Sequence, residues 1–360
     1  MSNTFKQRFA VYKQRVEADT AAYAMHIRTN KPAGNNPSLA KVDEVYLDIL
    51  ERGGKRLRGT LAIVGYEMCG GRDTAMIDRA ATAIEMMHAY ILIIDDIQDR
   101  AKLRRGKPSA HELLANYAEK ELSASDAPHA GIALALNAAL TGAHAAELLL
   151  AGLNVDPELK IKVLGIVNHT MLLTAHGQTS DIVNELRAEV TKQQVEQTME
   201  LKTAHYSMLN PLCVGMVLAG AGCEDTDAIR EYALNTGMAF QIIDDIIGVF
   251  GEDAETGKTA MDDICEGKQT LLTVYALAHL PKSERAFLRR CIGNSKLERA
   301  DFERCKQLIE QSGALEYAKT EAERYTAKAL QALDAAPHSW AAAQVTFLRE
   351  LATSLTQRTT

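Results

Sequence analysis

The sequence HAYILIIDDIQDRAKLRRGKP, residues 88–108, places acidic residues at the end of an apolar run. At the 3.6-residue period of an α-helix, Asp95 and Asp99 share one face, and Asp96 lies about 100° away. Carboxylates on an apolar helix are costly to bury unless cations meet them. Two adjacent arginines further along the same stretch can supply that charge. The pattern therefore predicts that Asp95 and Asp99 chelate a metal together, with Asp96 behind them.

A second acidic pair, Asp244-Asp245, comes after another apolar run. Gln241 lies three residues before Asp244 and shares its helix face. Downstream, Lys258 and Lys268 each come directly after a glycine, which lets the backbone approach a ligand closely, although either one alone could be an ordinary surface lysine. Acids and cations arranged around one cavity would suit Mg²⁺ ions bridging to a diphosphate.

Composition predicts an all-α protein. Of 360 residues 47% are hydrophobic, enough for a large core, and only 5% are aromatic. Good helix formers dominate, and only 8 Pro and 23 Gly interrupt them. Residues 1–38 are polar and end in a loop-like segment, so we expect an N-terminal peripheral segment at 1–38 and one domain over 39–360.

Charge and cysteine content exclude several classes. A net charge of −7 argues against a nucleic-acid-binding surface but not against a small anionic substrate. Six scattered cysteines show no zinc spacing. We see no signal peptide and no apolar run of the roughly 18 residues that a membrane span needs. We therefore expect a cytoplasmic protein with free thiols and no stable membrane insertion.

Three further segments can bind anions. The sequence GGKRLRG at 53–59 carries three cations after a glycine pair, which suits a diphosphate, although a solvated basic turn is the alternative. His88 has the helical spacing of Asp95, so a ligand contact and an ordinary core histidine remain equal alternatives. The pair Lys202-Thr203 is the third segment, and Gln178 with Asp181 is a further pair of interest.

Four ordered blocks together resemble the trans-isoprenyl diphosphate synthases of the polyprenyl synthetase family, from about residue 40 to near 355. They are GGKRLRG at 53–59, the stretch 88–108, ELKTA at 200–204 and FQIIDDIIGVFGEDAETGKTAMDDICEGKQT at 240–270. The resemblance implies a single-domain, all-α bundle of antiparallel helices around a deep central cavity. It also implies an Mg²⁺-dependent transferase, usually a homodimer, that condenses isopentenyl diphosphate with an allylic diphosphate.

The resemblance also implies roles for individual residues. Metal ligands would be Asp95, Asp99 and Asp244, which together with Lys202 and Arg104 form the catalytic set. The isopentenyl diphosphate site would comprise Lys55, Arg58, His88 and Arg105. Contacts to the allylic diphosphate would come from Arg104, Lys202, Thr203, Gln241, Lys258 and Lys268.

Two positions depart from the family pattern. Gly59 stands where the family usually has proline, which should alter only a turn. Gly248 stands where a third aspartate of the second motif is common. The loss removes one supporting carboxylate but leaves Asp244, and we expect activity to survive.

Product length depends on cavity depth in this family. Tyr90 lies five residues before Asp95, more than one helical turn deeper, with Ile91 beside it. An aromatic floor of this kind resembles synthases that make C20 product, so the sequence predicts geranylgeranyl diphosphate, with farnesyl diphosphate as the alternative.

Three other interpretations compete. A non-catalytic subunit of a heteromeric synthase should have lost metal ligands, and this chain keeps both acidic pairs. A terpene cyclase would not need a second diphosphate site. A helical scaffold with solvated acidic faces does not explain why the acids come after apolar runs.

Overall fold

Helices account for most of the chain, as its composition predicts. The structure is a computed structural model that describes residues 2–30, 34, 36–251 and 261–356. The first ten helices are α1 (Asn3–Asn30), α2 (Pro37–Glu51), α3 (Leu57–Met68), α4 (Thr74–Gln98), α5 (Ala110–Leu122), α6 (Ala127–Ala151), α7 (Pro157–Glu185), α8 (Lys192–Met199), α9 (Asn210–Leu218) and α10 (Cys223–Phe250).

The helices after α10 are α11 (Asp262–Glu266), α12 (Leu271–His279), α13 (Lys282–Cys291), α14 (Arg299–Gln311), α15 (Ala314–Asp334) and α16 (Ala342–Thr356). Between α8 and α9 the chain forms a π-helix, Glu200–Leu209. Such wide turns are rare and often occur at functional sites.

A small hairpin comes after α4, which the sequence analysis did not predict. Strands β1 (Leu103–Arg104) and β2 (Lys107–Pro108) pair antiparallel. The two turn residues, Arg105 and Gly106, have φ values of 55° and 73°. Positive φ at both positions is the requirement of a type I′ turn, the tight connection that suits a two-residue hairpin.

The helices that carry the four sequence blocks pack around one another. Helix α4 lies between α3 and α6, α3 packs on α9, and α7 packs on both α9 and α6, which closes a ring. Helix α10 packs against the π-helix and α15. The predicted all-α fold is confirmed; the depth of the cavity between these helices stays a prediction.

Apolar burial reflects the same arrangement. Helices α1 to α4 share one buried cluster, to which Val16 of α1 and Ile93 of α4 belong. A second cluster joins α10 to the helices after it, through residues such as Ile246, Leu272 and Phe302. The first cluster supports the acidic end of α4, and the second supports the segment that carries Lys268. The domain boundary at residues 38–39 stays a prediction.

Among the described residues two helices, α6 and α10, are long and apolar enough to cross a membrane by length and composition alone, which corrects the expectation that no apolar run of the chain is long enough. Half of the apolar window of α10 is buried inside the fold, whereas only 28% of the window of α6 is. The apolar surface of α6 therefore needs a separate explanation.

Candidate active site

Lys268 joins the end of α4 to the end of α7. Its Nζ lies 2.8 Å from Asp99 Oδ1, 2.8 Å from Glu185 Oε1 and 3.5 Å from Asp181 Oδ2. The Asp99 side chain is only 7% exposed. Burial opposes the charge on Lys268, but these carboxylates outweigh it and raise the pKa of the ammonium group above its usual value.

Lys202 completes the charge cluster from the π-helix. Its Nζ lies 2.6 Å from Asp181 Oδ2 and 3.5 Å from Asp95 Oδ1. Burial pushes the pKa of Asp181 upward, yet Lys202 and Lys268 together hold it below the usual aspartate value. Asp181 is therefore a carboxylate shared by two lysines.

A glycine makes this contact geometrically possible. At Gly177 of α7, a Cβ would come within 2.6 Å of the backbone at Leu201 and closer still to the backbone nitrogen of Lys202. Only glycine lets α7 and the π-helix approach this closely. The approach brings Lys202 within reach of Asp181.

Asp96 lies behind the charge cluster, fully buried. The Nε of Arg104 donates to its Oδ1 at 2.8 Å, and an Nη atom donates to the same oxygen. The same guanidinium lies 3.5 Å from Asp95. Arg104 therefore pairs mainly with Asp96, and its role toward the allylic diphosphate stays a prediction.

A second polar group lies further along the α3–α4 contact. Arg58 donates from Nη2 to Ser207 Oγ at 2.7 Å and from Nη1 to His88 Nε2 at 3.3 Å. Its guanidinium also lies 4.3 Å from the ring centroid of Tyr206, a cation–π distance. Three elements, α3, α4 and the π-helix, thus fix one guanidinium.

His88 is held neutral in this group. Burial, together with Arg58 and other nearby arginines, lowers its pKa well below the usual histidine value. Because Nε2 accepts from Arg58, the single ring proton belongs on Nδ1, from which it is donated to the hydroxyl oxygen of Tyr206. The Tyr206 hydroxyl proton then remains available to another acceptor.

The turn before α3 presents the remaining basic residues. Lys55 is exposed, and Arg105 donates to the Gly53 carbonyl oxygen. Burial, and then the charge of Arg56, lowers the pKa of Arg105 to about 10. An anion beside Arg105 would relieve that repulsion.

A buried pair fixes the start of α3. Arg56 lies 3.3 Å from Glu85, and the other oxygen of Glu85 accepts the Gly59 N–H at 2.8 Å. A proline at position 59 has no N–H to donate. The departure at Gly59 therefore adds a hydrogen bond rather than merely altering a turn.

The second acidic pair contributes through α10. Thr203 Oγ1 donates to Gln241 Oε1 at 2.6 Å, and Gln241 Nε2 donates to Asp245 Oδ1 at 2.7 Å. Burial, and then Asp263 and Asp244, raise the pKa of Asp245 well above the usual value despite the bond from Gln241. Asp244 itself is exposed. Lys258 lies outside the described residues.

The donors present fit a hard cation and a diphosphate. Within the described ranges, no three histidine, cysteine or acidic side chains already lie together as a metal site. Asp95, Asp99 and Asp244 nevertheless offer the carboxylate oxygens that Mg²⁺ and Ca²⁺ prefer. In addition, Arg58 Nε and Gln178 Nε2 are buried donors without a hydrogen-bond partner in the described part of the chain. Buried donors of this kind can donate hydrogen bonds to a ligand acceptor such as a phosphate oxygen.

Tyr90 and Ile91 lie half-buried on α4, ahead of the acidic residues. Five residues of helix correspond to about 7.5 Å, so Tyr90 lies that far from Asp95 along the axis. Burial, and then Glu147 of α6, raises the pKa of Tyr90 to about 12.

Sequence reasoning assigned no role to several residues of this site. Glu185 could have been found because it lies one turn after Asp181 on α7. Tyr206 and Ser207 carried no such signal, because their positions depend on the wide turns of the π-helix. Glu85 likewise looks in sequence like an ordinary helical residue.

Known proteins with similar sequences are prenyl diphosphate synthases. Residues 40–309 match the sequence profile of the family described as polyprenyl synthetase. The chain is 31% identical to a geranylgeranyl diphosphate synthase of Saccharolobus solfataricus, over 83% of this chain and 85% of that protein. It is 32% identical to a geranylfarnesyl diphosphate synthase of Aeropyrum pernix, over 81% and 86%.

A solved structure is similar over nearly the whole chain. It is a geranylgeranyl pyrophosphate synthase of Corynebacterium glutamicum in complex with isoprenyl diphosphate and magnesium. The TM-score is 0.90 at 26% sequence identity, covering 96% of this chain and 98% of that one.

Proposed function

Because this chain belongs to the polyprenyl synthetase family and is a prenyltransferase of the chain-elongating kind, we propose that its product is geranylgeranyl diphosphate. The observation that carries the assignment of two diphosphate substrates is the pair of separate cationic groups. One surrounds Asp181 with Lys202 and Lys268, and the other surrounds His88 with Arg58. Two groups of this kind suit two diphosphate substrates, and both contact α4, which carries the first acidic motif: Lys202 and Lys268 approach Asp95 and Asp99, and His88 lies on α4 itself.

We assign the isopentenyl diphosphate to the group at the start of α3. Arg58 has a buried Nε without a partner among the described residues, and Arg105 has a pKa lowered by burial and then by Arg56. Both arginines would gain from a bound anion. Lys55 and His88 complete this group, with neutral His88 orienting Arg58 rather than contributing charge.

We assign the allylic diphosphate to the group between α4, α7 and α10. Here Lys202, Lys268 and Arg104 would bind phosphate oxygens, while Thr203 and Gln241 would supply hydrogen bonds. Lys258 is proposed from the sequence alone. Asp95, Asp99 and Asp244 would hold the divalent metal, which we propose is Mg²⁺ and which would neutralise charge on the leaving diphosphate.

The proposed reaction is an ionisation and then an addition. The allylic C–O bond breaks, and the diphosphate leaves with the bonding electrons toward Lys202 and Lys268. The double bond of isopentenyl diphosphate then attacks the allylic carbon, and the new cation loses a proton, for which we propose the departing diphosphate as base. The apolar helices around the site exclude water that would quench the cation.

We propose that Tyr90 and Ile91 set the product length. Tyr90 comes five residues, or about 7.5 Å along the axis of α4, before Asp95, and we propose that the growing chain extends in this direction. A C20 product is supported by the names of the relatives from Saccharolobus and Corynebacterium. Farnesyl diphosphate remains the alternative product.

We also propose that the protein is a cytoplasmic homodimer. Leu136, Leu140 and Leu148 have helical spacing on α6 and are 46%, 56% and 73% exposed. On α7, Ile161 and Leu172 are 71% and 62% exposed and lie eleven residues apart, which is three helical turns. Helices α6 and α7 pack on each other, and exposed apolar side chains on two adjacent helices are the kind of surface that a second copy of the chain would cover.

An activity assay tests the proposed function. The protein is incubated with Mg²⁺, labelled isopentenyl diphosphate and, separately, C5, C10 and C15 allylic diphosphates, and the dephosphorylated products are chromatographed. A C20 alcohol is expected, and an Asp95→Asn, Asp99→Asn variant should give none. A product of another length would overturn the assignment of geranylgeranyl diphosphate, and no elongation with any starter would overturn the proposed substrates.

A further inference from the structure

The second acidic motif contains a glycine, and the side chain of a residue from another helix fills the space beside it. Gly248 lies four residues after Asp244 on α10, so the two share a helix face. A Cβ built at Gly248 would collide with the Oδ2 of Asp263 and come within 3.1 Å of its Cγ. The carboxylate of Asp263 therefore occupies the space where a side chain at position 248 would begin.

Asp263 reaches this place from another element. It belongs to the short helix α11, the next helix after α10 in the described chain. Its backbone carbonyl accepts the N–H of Gly267 at 3.2 Å and the N–H of Lys268 at 3.0 Å. One residue thus contacts Gly248 with its side chain and closes the turn that leads into Lys268 with its backbone.

The Asp263 carboxylate lies close to the acidic pair of α10. Asp244 and Asp245 already lie one turn away on α10, and Lys268 pairs with the acids of α4 and α7. A further carboxylate over Gly248 adds negative charge to the Asp244 face. It can also accept hydrogen bonds from water around a cation held there.

We propose that Asp263 supplies, from α11, the third carboxylate of the second acidic motif, in the space that Gly248 leaves open. The proposal rests on the proposed function, because it concerns the divalent metal and diphosphate of that reaction. Asp263 is a positioning residue here: it acts through the cation at Asp244 and through the turn before Lys268. Gly248 and Asp263 are then a matched pair, and an aspartate at position 248 would not improve the site.

The pair can be tested by binding, without turnover. Isothermal titration of the full chain with Mg²⁺ in the presence of inorganic diphosphate gives the affinity of the metal–diphosphate unit. Asp263→Asn should weaken it at least tenfold, because the amide keeps the size but not the charge. Asp262→Asn, the same change one position earlier in α11, should weaken it less than threefold.

Changing Gly248 tests the same pair from its other member. Gly248→Asp should also weaken binding at least tenfold, because its side chain meets Asp263. The double variant Gly248→Asp, Asp263→Ala should return to within about threefold of the original chain, because one carboxylate again fills the space. Thermal melting without metal reports whether each variant folds. If Gly248→Asp does not fold, the affinity of Asp263→Asn alone decides whether the proposed pair is right.

The outcomes distinguish a failure of the matched pair from a failure of the proposed function. If the original chain binds Mg²⁺ with diphosphate and elongates prenyl chains, but Asp263→Asn binds equally well, the matched pair is wrong and the proposed function stands. Tighter binding by Gly248→Asp alone would also reject the pair. If the original chain neither binds the unit nor elongates, the proposed function fails and the pair fails with it.

Discussion

Lys268 Nζ lies 2.8 Å from Asp99 Oδ1, although 169 positions separate the two residues in the chain. This one contact ties the acidic end of α4 to the segment after α11. Replacing Lys268 by glutamine removes the charge shared by Asp99, Asp181 and Glu185, leaving buried carboxylates without it. We expect a loss of about 3 kcal/mol in stability and a fall of at least a hundredfold in kcat.

Thermal melting and steady-state kinetics measure both effects of Lys268→Gln. Lys268→Arg should recover part of the stability because the charge is restored. Lys282→Gln removes an exposed lysine and should leave both quantities unchanged. Normal kcat in Lys268→Gln would show that Lys268 only balances charge in the unliganded protein.

Changing Gly177 to alanine should displace the π-helix. The new methyl group would meet the backbone of Leu201 and Lys202, so we expect a cost of about 1–3 kcal/mol and a weaker Lys202–Asp181 pair. Gly165 lies on the same helix with open space around its Cβ position. Gly165→Ala should therefore be neutral or stabilise the protein by up to about 1 kcal/mol. Equal melting temperatures for the two variants would contradict the close approach.

Acidification should destabilise the protein in part through His88. Its folded pKa lies below the usual value, because of burial and then the nearby arginines. As pH falls below about 6.5, the unfolded chain binds a proton that the folded chain refuses, so stability falls until the folded pKa is reached. His88→Asn should reduce the drop in melting temperature between pH 7.5 and 5.5, and His338→Asn, at an exposed position, should not.

Truncating Tyr90 to alanine should lengthen the product. The ring is half-buried on α4 about one and a half turns before Asp95, and its removal extends the space along the helix. Chromatography of the dephosphorylated products should show alcohols beyond C20. Leu122→Ala, on an exposed side chain of α5, serves as the control. An unchanged product from Tyr90→Ala would mean that another residue forms the floor.

The exposed stripe on α6 should hold two copies together. Leu140→Glu places a charge within the stripe and should shift the protein from dimer to monomer in analytical ultracentrifugation. Leu39→Glu changes a similarly exposed leucine on α2 and should leave the dimer intact. A monomeric original chain would reject the proposed homodimer outright.

The helical fold was predictable because its signals are local. Composition and periodicity act within a few turns, and they suffice for α4 and α10 around their acidic pairs. The alignment of Asp95 with Asp99 was readable for the same reason. In contrast, the pairing of Asp96 with Arg104 depends on a two-residue hairpin whose positive φ at Arg105 is unusual for a non-glycine residue.

The contacts between distant elements were not predictable from one sequence. Asp263 acquires meaning only when α11 is placed beside α10, where its carboxylate meets Gly248. Tyr206 and Ser207 turn toward α4 and α3 because the π-helix changes the helical phase, which no periodicity rule for an α-helix anticipates. The order of the motifs predicts which segments form the site. The hydrogen-bond and ion-pair partners of each side chain can be identified only from the folded structure.

The π-helix also restricts how this chain can change in length. If one residue were inserted into or deleted from Glu200–Leu209 while its wide turns were kept, every residue after it would rotate about the helix axis by the angle of one residue, which is about 100° in an α-helix and smaller in a π-helix. Lys202 could then keep its contact with Asp181 only if Tyr206 lost its contact with His88 and Ser207 lost its contact with Arg58. Single-residue insertions and deletions should therefore be selected against in this segment, even where substitutions on its outer side are tolerated.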